Sequence, residues 1–187
     1  MEDDIKKCVE ILRKGGIILY PTDTIWGIGC DATNADAVRR VYELKRRDDS
    51  KAMLVLLDDE ARIERYVSEV PEIAYQLIEV AVSPLTIVYE GAYNLAANLL
   101  GENSSIGIRI SRERFSNRLC RQFGRPIVST SANISGEPGA MTFAQISDEI
   151  KNGVDYVVGY RQDDSTAVRA SSIIKISADG SFKILRK

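Results

Sequence analysis

Apolar positions in this chain alternate between two spacings, and each change of spacing marks an element. Ile5, Cys8, Val9 and Leu12 follow Asp3-Asp4 at helical intervals, and Gly15-Gly16 end that helix. Ile17–Tyr20 is a short apolar run closed by Pro21, which predicts a buried strand. After the turn Pro21–Thr24 a second strand is expected over Ile25–Cys30, where Gly27 and Gly29 would admit a close approach to the backbone. Ala35, Val38, Val41, Tyr42 and Leu44 return to helical spacing and run into the charged stretch Lys45–Lys51. Ala52–Leu57 reads as a strand, 58–66 and 71–82 as helices, and Pro84–Glu90 and Ser105–Ile110 as strands. Phe115, Leu119 and Phe123 share one face of a predicted helix, Arg112–Phe123, with Gly124 behind it. Pro126–Ser129 is a strand feeding the polar loop Ser129–Gly136. A helix is expected from about Phe143 to Lys151, with strands near 155–160 and 171–177. The turn Ala178-Asp-Gly180 then folds a last strand, Ser181–Leu185, back on its neighbour.

Strands and helices interleave while the final hairpin must be antiparallel, so the fold class is α/β with a mixed sheet and helices on its faces. No repeat, low-complexity tract or linker interrupts the pattern, and one domain over 1–187 is expected.

Composition narrows the chemistry. The 187 residues carry 25 Lys+Arg, 27 Asp+Glu and no histidine. A Ser-His-Asp or Cys-His nucleophile, a His-ligated zinc and an imidazole base are therefore all excluded. Carboxylates, hydroxyls, Lys, Arg and backbone amides must do the work. A net charge of −2 and a sequence pI near 5.4 argue against a dedicated nucleic-acid binder. Cys8, Cys30 and Cys120 are widely spaced with no CxxC, and read as small buried apolar residues. The longest apolar runs fall far short of the ~20 residues of a membrane span. The acidic start, Met1-Glu-Asp-Asp, has no basic segment of the kind that opens a secretion signal. A cytoplasmic location without a membrane partner is the expectation.

Four polar segments lie where such sheets place ligands, at strand ends: Pro21–Thr24, Lys45–Lys51, Ser129–Asn133 and the surroundings of Arg109. Lys45-Arg46-Arg47 also reads as a solvated helix end and Pro21–Thr24 as an ordinary turn, whereas Ser129–Asn133 sets small hydroxyl and amide residues after an apolar strand. The sequence GxxxxGK[ST] is absent, and Gly27-Ile-Gly29 lies inside a strand, so neither common phosphate fingerprint applies. Arg114, Arg118, Arg121 and Arg125 form a basic stripe on one helix, either a solvated face or a contact for RNA phosphates.

Taken in order, several stretches resemble the YrdC family. They are Lys14–Asp31 (KGGIILYPTDTIWGIGCD), Leu44-Lys-Arg-Arg47, Pro84-Leu-Thr86, Ser105-Ile-Gly-Ile-Arg109 and Pro126–Gly136 (PIVSTSANISG). The resemblance runs through nearly the whole chain. It implies the YrdC/RibB-like fold: three layers around a strongly twisted mixed parallel/antiparallel sheet, with a large basic cavity. The implied reaction joins L-threonine, bicarbonate and ATP into threonylcarbamoyl-AMP and pyrophosphate. A downstream transferase complex would use that product for threonylcarbamoyladenosine in tRNA. Magnesium is implied only as an ion bound through the phosphates, with no metal ligand from protein side chains.

Carried over residue by residue, the resemblance implies that Lys45, Arg47 and Lys51 meet the nucleotide phosphates, the first two as catalytic groups. Ser105, Ser131, Asn133 and Arg186 fall on the ATP side, and Thr24, Arg109, Ser129 and Ser171 on the threonine side. The chain departs from the family at Asp48, where a proline is usual, and at Ala81-Val-Ser-Pro84, where Trp-Pro-Gly-Pro is common. The alternative reading is an RNA- or nucleotide-binding module of the same shape without turnover.

Overall fold

The computed structural model describes residues 1–47, 53–165 and 170–187; Asp48, Asp49, Lys51 and the expected start of a strand at Ala52 lie outside them. The strands are β1 (Ile18–Tyr20), β2 (Gly27–Gly29), β3 (Leu54–Leu57), β4 (Leu85–Tyr89), β5 (Ile106–Ile110), β6 (Ile127–Ser131), β7 (Tyr156–Val157), β8 (Ser172–Ile176) and β9 (Phe182–Arg186). They form a nine-stranded sheet in the order β7-β1-β2-β6-β3-β5-β4-β8-β9. Pairs β1/β7, β3/β5 and β4/β8 are parallel and the remainder antiparallel, so the sheet is mixed, as the interleaved pattern required.

Among the described residues five α-helices flank it: α1 (Glu2–Arg13), α2 (Ala35–Leu44), α3 (Glu72–Val80), α4 (Arg114–Phe123) and α5 (Asp148–Gly153). Helix α1 buries Ile5, Cys8 and Leu12, and α4 buries Phe115, Leu119, Cys120 and Phe123; the two pack on each other and onto β1 and β3. Gly124 ends α4 in the left-handed conformation, φ 80°, which costs glycine little. Asn34 starts α2 by accepting hydrogen bonds from Asp36 N and Ala37 N. That helix stops at its C-cap, Lys45.

Three elements differ from the sequence expectation. The 58–66 segment is a 3-10 helix over Glu60–Arg65. The single helix expected at 143–151 splits, because Ile146 is extended (ψ 129°) and Ser147 caps a new helix by accepting from Ile150 N. Strand β6 runs on to Ser131 because its end pairs with β2, Gly27 opposite Ser131, so Ser131 belongs to the sheet rather than to a loop.

All three cysteines are buried, and burial raises their thiol pKa values, that of Cys8 to about 12. The basic stripe, which runs past the end of α4 to Arg125, is largely tied down within the molecule. Arg118 meets Glu2 at 2.6 Å, Arg125 meets Asp31 at 2.9 Å and Arg121 approaches Asp58 at 3.6 Å. Among the described residues no helix is long and apolar enough to cross a membrane.

Candidate active site

Side chains alternate across a strand, so residues opposite one another in register share a face of the sheet. Gly27 lies opposite Ser131, Leu54 opposite both Ser129 and Gly107, and Thr86 opposite Arg109. Ile173 lies opposite both Thr86 and Arg186. These residues form the floor of one cavity of about 320 Å³, within the range of small-molecule sites. The alternate positions Val55, Ile87, Ile108 and Val128 are buried core. Gly107 keeps the floor low: a Cβ there would come within 3.2 Å of the Leu54 and Thr86 side chains.

At one end stands Arg109, which is 3% exposed. Its Nε is 3.1 Å from Asp23 Oδ1, and its Nη2 donates to Thr24 Oγ1 at 3.4 Å. The turn carrying Asp23 is organised by Thr22, whose hydroxyl donates to Ile25 O (2.8 Å) and accepts from Thr24 N (3.1 Å). Burial pushes the Asp23 carboxyl up, and the Arg109 charge opposes that shift. Beside this end, the Thr86 and Ser171 hydroxyls are 2.9 Å apart. Arg186 donates to Ser171 O (2.9 Å) and Oγ (3.2 Å), so Ser171 joins the strand end to the last strand.

Arg47, just beyond the C-terminal end of α2, stands in the other wall. Arg47 and Ser131 line the cavity, as do Thr24, Ser105, Arg109, Ser129, Ser171 and Arg186. Lys45 and Asn133 do not. The Lys45 ammonium is buried and donates to Ser131 O (2.5 Å) and Asn133 O (2.6 Å), while Lys45 O accepts from Ser135 N (2.8 Å). Burial, reinforced by the Arg47 charge, lowers the Lys45 pKa from 10.5 to about 8. Asn133 Nδ2 donates to Ile134 O and Glu137 O, both at 2.9 Å. Lys45 and Asn133 thus hold the 131–137 backbone. Both were expected to meet phosphate; in the structure neither lines the cavity, and two of the three ammonium hydrogens of Lys45 and the Asn133 amide nitrogen face backbone carbonyls. Lys51, expected beside them, lies outside the described residues.

The lining contains three arginines, Arg47, Arg109 and Arg186, and no carboxylate among its described residues. Such a wall attracts anions. The chain matches the Sua5/YciO/YrdC family, described as telomere recombination, over residues 10–187. It belongs to this family. It is 33% identical over 159 residues to the threonylcarbamoyl-AMP synthase of Vibrio cholerae, covering 83% of this chain and 85% of the relative. It is 34% identical over 145 residues to that of Chromohalobacter salexigens, covering 77% and 78%. Among solved structures, E. coli YciO superimposes with a TM-score of 0.85 at 23% identity, over 100% of this chain and 90% of that one. P. abyssi Sua5 complexed with L-threonine gives 0.83 at 23% identity, over 94% and 52%. The fold is that of the Sua5/YciO/YrdC domain.

Two residues of this Sua5/YciO/YrdC site carried no role in the sequence reading. Thr86, 1% exposed, is the one polar residue of the apolar strand Leu-Thr-Ile-Val-Tyr, a signal that could have flagged it. Asp23 lies within a turn already singled out, but its pairing with Arg109 joins positions 86 residues apart (109 minus 23) and leaves no local trace.

Proposed function

We propose that this chain is an L-threonylcarbamoyladenylate synthase, forming threonylcarbamoyl-AMP and pyrophosphate from L-threonine, bicarbonate and ATP for tRNA threonylcarbamoyladenosine modification. The observation that carries this reading is the single cavity shared by Arg47 and Ser131 with Thr24, Arg109 and Ser129. It is joined by relatives named for that activity along four-fifths of the chain.

The chemistry suits a site without histidine. The threonine amine forms a bond to the bicarbonate carbon, and the proton it loses leaves with the bicarbonate hydroxyl as water, giving a carbamate. A carbamate oxygen then attacks the ATP α-phosphorus while the bond to the β-phosphate oxygen breaks and pyrophosphate leaves. No protein nucleophile is consumed. The protein's task is to align two anions and an amino acid and to hold the departing charge. In this reading Arg109 grips the threonine carboxylate, with Thr24, Ser129 and Ser171 around the amino acid. Arg47, Arg186, Ser105 and Ser131 face the nucleotide, with Lys51 as a further phosphate contact. Lys45 and Asn133 act by shaping the wall that Ser131 belongs to.

Magnesium enters on the triphosphate, since the described lining offers guanidinium and hydroxyl groups rather than carboxylates. Bound there, it would supply further charge neutralisation. The product passes to a separate transferase complex, and the setting is the cytoplasm. Direct tRNA or duplex RNA contact through the stripe Arg114, Arg118, Arg121 and Arg125 is the weaker reading, because three of these four arginines pair with Glu2, Asp58 and Asp31. Pyrophosphate release tests the proposal: it should need ATP, L-threonine and bicarbonate together. Release that persists without threonine or without bicarbonate overturns it.

A further inference from the structure

Asp23 reaches Arg109 from behind the cavity wall. Its side chain is 10% exposed, and its open side faces a second cavity of about 280 Å³, between Ile78, the 81–85 segment and Ile110. A ligand in the main cavity therefore meets Arg109 and not Asp23. The carboxylate and Nε are 3.1 Å apart without hydrogen-bond alignment, and neither of the two buried atoms has another hydrogen-bond partner. Charge attraction thus holds Nε, leaving the two terminal nitrogens for Thr24 and a ligand.

The electrostatic consequence is local. Three guanidiniums in one lining would draw a triphosphate to any part of the cavity. A buried carboxylate against one of them brings that end close to neutral, which suits a zwitterion better than a polyanion. We infer that Asp23 is a positioning and specificity-determining residue: it aims the Arg109 fork into the cavity and reserves that end for the amino acid. This rests on the synthase reading above.

Kinetics of the full chain and its Asp23→Asn and Asp23→Glu variants test it, with tripolyphosphate as the polyanion probe. Asp23→Asn should raise the threonine KM by roughly 10- to 100-fold, with kcat changed far less and the ATP KM held within about twofold. Tripolyphosphate should compete only with ATP in the native chain and become competitive with threonine in Asp23→Asn, and Asp23→Glu should recover part of both effects. An unchanged threonine KM, or equal losses toward both substrates, overturns the inference. If the native chain releases no pyrophosphate, the synthase reading fails by itself. Calorimetric binding then decides Asp23: Asp23→Asn should lose threonine affinity and gain tripolyphosphate affinity, and unchanged affinities overturn the inference.

Discussion

Two buried cations, one lining the cavity and one set behind its wall, do different jobs. Arg109, 3% exposed, has a carboxylate behind it and lines the cavity in front. Lys45, 1% exposed, has the carbonyls of Ser131 and Asn133 as acceptors and does not line the cavity. The sequence treats both as basic residues of polar strand or helix ends. What separates them is the neighbour each has in three dimensions. A counter-charge leaves a guanidinium's remaining donors available, whereas carbonyls at 2.5 and 2.6 Å engage an ammonium as a structural pin.

The sharpest way to break this comparison is at Arg109. Arg109→Ala should lower kcat/KM for threonine by about 10²–10³, the scale of losing one preorganised charged donor, with the ATP KM little altered. Initial rates of pyrophosphate release with each substrate varied check this, and equal losses toward both substrates would erase the division of labour. Lys45→Met comes next. It leaves two buried carbonyls without a donor, and denaturant unfolding should show a loss of about 2–3 kcal/mol, with the threonine KM unchanged.

The pH dependence of that same lysine sharpens the contrast. Its folded pKa, about 8, lies below the ordinary 10.5, so between these values the unfolded chain binds more protons than the folded one. The Lys45 contribution to stability therefore rises as pH increases from about 8 toward 10.5, and the cost of burying its charge is greatest below pH 8. The neutral amine keeps two N–H groups for its two carbonyls. Unfolding midpoints across this window should show the rise in the native chain and lose it in Lys45→Met.

A smaller effect is expected at the floor between the two ends. Gly107→Ala should destabilise by about 1 kcal/mol, because Leu54 and Thr86 must each give way to the new Cβ, 3.2 Å from their side chains. Smallest of all is Arg118→Ala, which removes a solvent-exposed ion pair with Glu2. It should change stability by about 0.5 kcal/mol or less and leave turnover intact, as thermal melts and the same assay would show.

The strands and most helices were legible because their apolar periodicity is local: α1, α2 and α4 fall within two residues of their expected bounds. The 3-10 form of Glu60–Arg65 and the break at Ile146-Ser147 were not, since they turn on backbone angles and a serine cap inside an otherwise helical pattern. The resemblance pointed to the main cavity lining, including Arg47, Arg109 and Ser131. The orientation of Lys45 was hidden, because a lysine at a helix end gives no sign of whether it turns outward to solvent or inward to a carbonyl. Asp23 and Thr86 escaped because their partners, Arg109 and Ser171, are distant in sequence.

The alternation that sets serine, threonine and arginine on one side of the sheet also sets Val55, Ile87, Ile108 and Val128 on the other. Shifting any of these strands by a single residue would swap the two sets. A misaligned molecule would then be inert and sticky at once, so selection for turnover alone also screens out errors of assembly.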